Sequence, residues 1–208
     1  MKRVPAGAGL GGGSGNAATA LWAANELAGR PASEAELLAW GGEIGSDISV
    51  FFSTGAAYCT GRGEIVRNVA PPLPLSTPLL LVKPPEGCST PAVFKALDLA
   101  TRSTAEPEAL LRALRTAGVS AATCVNDLEP PALSVLPRLA ALKARLAATG
   151  AYDAVFMSGS GSTLVCLGGA ADTAPAWAAG EGLFAQAGVR LTTRQAGAWY
   201  AAPVASSR

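Results

Sequence analysis

The chain is 208 residues long, half of them hydrophobic, with a formal net charge of +1 and no histidine. That length suits one sizeable domain or two small ones; no apolar run reaches the roughly 18 residues of a membrane span, so the chain reads as soluble, and the near-neutral charge offers no basic stripe to nucleic acid or an anionic membrane. Without histidine, Ser-His-Asp and Cys-His catalysis and His-ligated metal sites are excluded, and any general base must be a carboxylate, Lys, Tyr or Cys.

The opening MKRVPAG has charges but no apolar segment behind them, so it is no signal peptide. A glycine-rich run from Gly7 to Gly15 follows, and Asn16 to Ala28 then reads as a helix rich in Ala and Leu, closed by Gly29 and Pro31. Ser33-Glu34-Ala35-Glu36 has the capping-box pattern and opens a second helix through Leu37, Leu38 and Trp40. GSDISVFFSTGAAYCTGRGE alternates small and apolar residues as a turn and short strands do. The proline-rich APPLPLSTP, residues 70–78, is the candidate domain boundary, and LLLVKPP after it a buried strand. Ser89 is placed to cap a helix with Pro91 in its first turn, running through Phe94 and Leu97.

Further helices are expected at Glu106 to Thr116 and at Pro131 to Ala148, the second with Leu133, Leu136, Leu139, Leu142 and Leu146 near helical spacing. YDAVFMSGSGSTLVCLGG reads strand, glycine turn, strand; a helix near Pro175 to Ala187 and a strand at Val189 to Thr193 close the chain. Cys59, Cys88, Cys124 and Cys166 stand far apart with no C-x-x-C pair. They signal neither a zinc knuckle nor a disulfide framework and read as buried reduced thiols.

The first glycine run can be taken several ways. Gly7-x-Gly9-x-x-Gly12 has the letters of the dinucleotide fingerprint, but no strand precedes it and no acidic residue follows at the required distance in a βαβ unit. A phosphate-loop NTPase also fits poorly, because Gly13 stands where that pattern has lysine, just before Ser14. The physical logic survives both failures: consecutive glycines let backbone N–H groups converge, and a following helix adds its positive end, which makes a cradle for a polyphosphate. Ser14 offers a hydroxyl to phosphate or metal, and Asn16 either caps the helix or donates to a ligand. A flexible linker is the competing reading. The second glycine turn, Ser158-Gly159-Ser160-Gly161-Ser162-Thr163, is either a tight hairpin or the other edge of one anionic pocket. Asp47, at the head of the apolar ISVFF, is either a general base or a turn or N-cap aspartate.

Together these stretches resemble the GHMP kinase superfamily of small-molecule kinases, whose ATP loop is P-x-G-x-G-L-G-(G/S)-S-(S/G); here it reads Pro5-Ala6-Gly7-Ala8-Gly9-Leu10-Gly11-Gly12-Gly13-Ser14. GAGLGGGSGNAATAL, GSDISVFF, GAAYCTGRGE, KPPEGCST, VNDLEPPA and YDAVFMSGSGST are similar, in order, to the members that act on CDP-methylerythritol in the non-mevalonate (MEP) isoprenoid pathway, plant and algal forms above all. The resemblance implies an α+β fold of two domains: a ribosomal-S5-domain-2-like N-terminal half over residues 1–73, incomplete here, and a ferredoxin-like half over 74–208. It implies ATP-dependent phosphorylation of the substrate's 2-hydroxyl with Mg²⁺, in the plastid stroma for the full-length protein. A catalytically inactive nucleotide-binding remnant is the alternative.

By the same resemblance, Pro5, Gly7, Gly9, Leu10, Gly11, Gly12, Gly13, Ser14, Gly15 and Asn16 hold ATP with Ser158, Gly159, Ser160 and Gly161 of the third kinase motif. Asp47 is the catalytic base, and Asn16, Asp47, Thr90 and Phe94 bind the substrate. Phe94 falls on an aromatic that stacks on cytosine, plain helix core being its other reading. Asn126 and Asp127 fall in a segment read as structural, and no residue set is assigned to a metal. Two positions depart from the family pattern. Gly15 stands where members usually have a second serine, and a further N-terminal segment with strands and a catalytic lysine is expected to be missing, Lys2 not being that lysine. An incomplete first half is expected to expose apolar surface around Leu21 and Trp22.

Overall fold

The computed structural model of the chain describes residues 4–200; Lys2 lies outside them. Two compact units emerge, each assembled from separate stretches of chain.

The smaller unit comprises Gly13–Pro71 and the described residues from Thr192 onward. Its first helix, α1 (Gly12–Leu27), begins inside the glycine run, four residues earlier than the helix expected from Asn16. The second helix, α2 (Glu34–Ile44), has the predicted capping box: Glu36 N donates to Ser33 Oγ at 3.3 Å and Ser33 N to Glu36 Oε2 at 2.7 Å. Residues expected to begin a strand after Asp47 form a single 3-10 turn instead, Ser49–Phe52. A two-stranded antiparallel hairpin comes next, β1 (Ala57–Thr60) and β2 (Ile65–Asn68), with Tyr58 opposite Arg67. The core is small: Ala18, Leu37, Ile48 and Phe52, with Leu21, Trp22, Phe51 and Trp199 packed on it.

The C-terminal return completes that core. Trp199 stacks on Trp22 with centroids 5.2 Å apart and planes 13° from parallel. Arg194, its side chain 3% exposed, pairs with Glu34 and donates to the carbonyls of Phe52, Ser53 (2.8 Å) and Ala198 (2.8 Å). Leu21 and Trp22 are therefore half-buried, not exposed as expected. The exposed apolar end of α1 is Leu27, at 91%.

The larger unit comprises the described residues up to Gly12 together with Pro72–Leu191. Strand β3 (Leu79–Lys83) leads into α3 (Thr90–Ala96) and α4 (Pro107–Thr116). Then come α5 (Glu129–Val135), α6 (Pro137–Ala148), β4 (Ala154–Met157), β5 (Leu164–Leu167), α7 (Ala176–Gly180) and β6 (Phe184–Val189). The sheet order is β4-β5-β3-β6, antiparallel throughout. With helices between β3 and β4 and between β5 and β6, this is the β-α-β-β-α-β connectivity of a ferredoxin-like half. Strand alternation divides the core. Leu80, Val82, Leu164 and Cys166 meet Ala132, Leu139, Leu142 and Leu146 of α5 and α6, while Leu79, Val165 and Leu167 pack with Leu73, Val119 and Phe156 on the other face. Each fully buried leucine contributes about 1.5–3 kcal/mol.

Three expectations need correction. The helix expected from Pro131 to Ala148 is two helices, because Pro137 cannot donate an N–H and drives Leu136 out of helical geometry (φ −127°, ψ 83°). The helix expected to reach Ala187 stops at Gly180, and Gly182 (φ +67°) turns the chain into β6, which begins five residues before the strand expected at Val189. Finally, Cys88 and Cys166 are buried free thiols as expected, but Cys59 is exposed and Cys124 half-buried.

Candidate active site

The glycine-rich run spans the passage of the chain from the larger unit to the smaller, so each unit carries its own part of the predicted residue set. In the larger unit, Gly7, Gly9 and Gly11 have φ of +60°, +70° and +62°. The loop they form is sewn to the second glycine turn, between β4 and β5. Ser158 Oγ donates to Gly9 O at 2.8 Å and Thr163 N to Ala8 O at 3.1 Å. Within the turn, Gly161 N donates to Ser158 O at 3.0 Å and Ser158 N to Thr163 O at 2.9 Å. A Cβ on Gly9 would fall 2.1 Å from Ser158 O, so no side chain fits this seam. The two glycine stretches paired in the sequence do meet. Pro5 and Leu10 flank the seam half-buried.

Thr90 opens α3, and its Oγ1 lies 2.8 Å from Ser160 Oγ, which joins the predicted substrate threonine to the same turn. Ser89 stands at the N-cap of α3 as expected, but its hydroxyl makes no capping bond; Pro91 stabilises the first turn instead. Phe94, one turn on, is 55% exposed and so is not core.

Asn126, read from the sequence as structural, has that role here. Its Nδ2 donates to Met157 O at 2.9 Å and to Gly159 O at 2.8 Å, while its Oδ1 accepts Leu128 N at 3.0 Å. Glu129 adds a second clamp, accepting Met157 N at 2.6 Å and pairing with Lys143. Asp127 instead accepts Ser103 N at 2.9 Å. The NDLE segment thus fixes the second glycine turn from below. An asparagine just ahead of a proline-started helix was the available signal, but its partners lie 31 and 33 residues away.

In the smaller unit, α1 starts with glycines and has no acidic side chain in its first turn. Its leading N–H groups lack intrahelical partners, and no carboxylate of its own first turn offsets its positive end. A Cβ on Gly13 would meet nothing within 4 Å, so packing does not require glycine there. Gly15 differs: a Cβ there would lie 3.1 Å from the Phe51 ring, which explains glycine where serine is usual. Asn16 lies inside α1 with its side chain exposed, so it is not the helix cap.

Asp47 sits in the turn between α2 and the 3-10 turn, exposed to solvent. The cap position of that turn is Ile48, with no side-chain capping bond. Among the described residues the Asp47 carboxylate makes no hydrogen bond or ion pair. It therefore has no capping task. Its position is nonetheless well defined: Ile48 packs on Gly41, Ser49 Oγ donates to Leu38 O at 2.9 Å, and Phe51 lies against Gly15 at the start of α1. The Cys59 thiol is pushed up by partial desolvation and, after it, by the Asp47 charge.

Residues 1–55 match the model of the GHMP kinases N terminal domain. The chain is 54% identical over 210 residues to the chloroplastic 4-diphosphocytidyl-2-C-methyl-D-erythritol kinase of Oryza sativa subsp. japonica, covering 99% of this chain and 52% of that one. It is 62% identical over 169 residues to the protein of that name from Arabidopsis thaliana, covering 80% and 44%. Among solved structures it is similar to 4-(cytidine 5'-diphospho)-2C-methyl-D-erythritol kinase, with a TM-score of 0.71 and 33% identity over 89% of this chain and 68% of that one. The chain spans about half the length of the curated relatives it matches.

Proposed function

The chain belongs to the 4-diphosphocytidyl-2-C-methyl-D-erythritol kinase family of the GHMP kinases, and from that premise we propose that it transfers the γ-phosphate of ATP to the 2-hydroxyl of CDP-methylerythritol. The observation that carries this reading is the start of α1, which is bare of side chains at Gly13, where the protein's own packing leaves open space. Glycine there serves an approaching ligand, and partnerless N–H groups at a positive helix end suit phosphate oxygens.

Asp47 takes the proton of the 2-hydroxyl as that oxygen attacks the γ-phosphorus; the bond to the β–γ bridging oxygen breaks and ADP leaves. A carboxylate free of capping duty is available for this. Gly7 to Asn16 and the Ser158–Gly161 turn hold the triphosphate. Thr90 binds the substrate, and Phe94, exposed on α3, stacks on cytosine for roughly 1–3 kcal/mol. Mg²⁺ supplies charge neutralisation on the β- and γ-phosphates. When bound with the nucleotide it would be held by the phosphates, with the Ser14 hydroxyl the side chain of this loop suited to join them.

The relatives named chloroplastic support placing the full-length protein in the plastid stroma. No helix of the described residues is long and apolar enough to cross a membrane. ADP release is measured with ATP, Mg²⁺ and CDP-methylerythritol, and Asp47→Asn is expected to abolish it while ATP still binds. ATP binding without turnover in the unaltered chain would favour the inactive nucleotide-binding reading, and no ATP binding would refute both.

A further inference from the structure

Lys83 ends β3 and is 5% exposed, yet among the described residues no carboxylate pairs with it. Its Nζ donates instead to three consecutive carbonyls, Pro84 O at 2.7 Å, Pro85 O at 3.3 Å and Glu86 O at 3.3 Å. An ammonium has three N–H donors, and this nest matches them one to one. A buried charge without such partners would be costly. The carboxylate of Glu86 faces another way, pairing with Arg138 at 3.0 Å. The segment Pro84–Glu86 is thus wound round the end of the side chain that precedes it.

From Glu86 to Thr90 the chain runs along both glycine stretches of the larger unit. Glu86 O also accepts Ser162 Oγ at 2.7 Å, at the end of the second glycine turn. Gly87 lies so close to the first glycine loop that a Cβ on it would be 3.1 Å from Gly7 O. Cys88 lies against Gly161, whose own Cβ would come 3.1 Å from its sulfur. Thr90 then reaches Ser160 at 2.8 Å. Four successive contacts with the two glycine stretches depend on the course of one short segment, and that course is set round one ammonium.

We propose that Lys83 is a tethered cation that positions the two glycine stretches for phosphate, acting through the Pro84–Thr90 segment without touching the ligand. This rests on the reading of the chain as an ATP-binding kinase. The test uses Lys83→Ala and Lys83→Met, with ATP affinity measured by titration calorimetry well below the melting transition. A role confined to stability leaves the affinity of the folded protein unmoved there. We expect each variant to bind ATP at least about tenfold more weakly. Ethylammonium chloride should restore binding to Lys83→Ala, whose cavity admits it, but not to Lys83→Met, whose side chain fills the space; tetramethylammonium chloride at equal ionic strength should restore neither. Unchanged affinity in both variants, or no recovery with ethylammonium, would overturn the proposal. Should Lys83→Ala fail to fold, the affinity of Lys83→Met decides alone, a loss of about tenfold supporting the positioning role and unchanged affinity overturning it. Failure of the unaltered chain to bind ATP refutes the ATP reading, and with it the positioning of these stretches for phosphate, whereas binding by the unaltered chain with no loss in the variants overturns the role of Lys83 alone.

Discussion

Replacing Gly9 by alanine tests whether the seam between the two glycine stretches supports the larger unit. The backbone there has φ +70°, which costs an alanine about 1–2 kcal/mol. The added Cβ would also lie 2.1 Å from Ser158 O and 3.0 Å from both the N and the O of Gly161. Relief requires the two backbones to part by about an ångström, since non-bonded carbon atoms settle only at roughly 3.5–4.0 Å. That separation breaks the bonds from Ser158 Oγ to Gly9 O and from Thr163 N to Ala8 O, now 2.8 and 3.1 Å. Each is worth about 1 kcal/mol. The total is about 3–4 kcal/mol, and with an m-value near 2 kcal/mol/M it moves the urea midpoint down by about 1.5–2 M. Urea titration followed by far-ultraviolet circular dichroism reads this directly. A midpoint within about 0.5 M of wild type, or about 1 kcal/mol, would show that the seam yields freely and refute the argument.

Gly13→Val makes the opposite demand: open space and helical φ leave stability within about 0.5 kcal/mol, while ATP binding weakens at least tenfold, about 1.4 kcal/mol. Calorimetry and a melt on the same variant check both halves, and unchanged affinity would remove the phosphate cradle at the start of α1. Alkaline pH should destabilise the fold through its thiols, since burial pushes Cys166 from 9.0 up to about 12. The unfolded chain then loses that proton first, so stability is whole below about pH 9 and falls by up to about 1.4 kcal/mol per unit as pH rises toward 12. Urea midpoints across that window should fall less steeply in Cys166→Ala, and an identical slope would contradict the assignment.

What could be read from the sequence was what is local. The capping box of α2 needs Ser33 and Glu36 alone, and both bonds are present. The glycine turn between β4 and β5 is framed by its own two strands, and β3 announces itself by an unbroken apolar run. The start of α1 was misjudged because glycine is a poor helix former, whereas helical conformation here begins at Gly12. Strand β6 was hidden because FAQAGV has weak strand propensity of its own and is held by pairing with β3 across a register shift. Lys83 and Arg194 escaped notice for a related reason, and Asn126, read as structural, gave no sign of which turn it braces. Each is defined by carbonyls it binds, and carbonyls leave no mark in a sequence.

The stack of Trp199 on Trp22 sets the order of events on the ribosome. The stretch from Gly13 to Pro71 is synthesised ahead of the larger unit's sheet, but the indole and the Arg194 guanidinium that finish its core come after that sheet. At about 5–20 residues per second, on the order of ten seconds of synthesis separates the two. In that interval the ferredoxin-like sheet acquires every one of its strands, while α1 and α2 wait with one flank wet. The Gly13–Pro71 core is therefore closed only after residues 192–200 have emerged, and a nonsense codon or a proteolytic nick ahead of Arg194 leaves that earlier core unfinished.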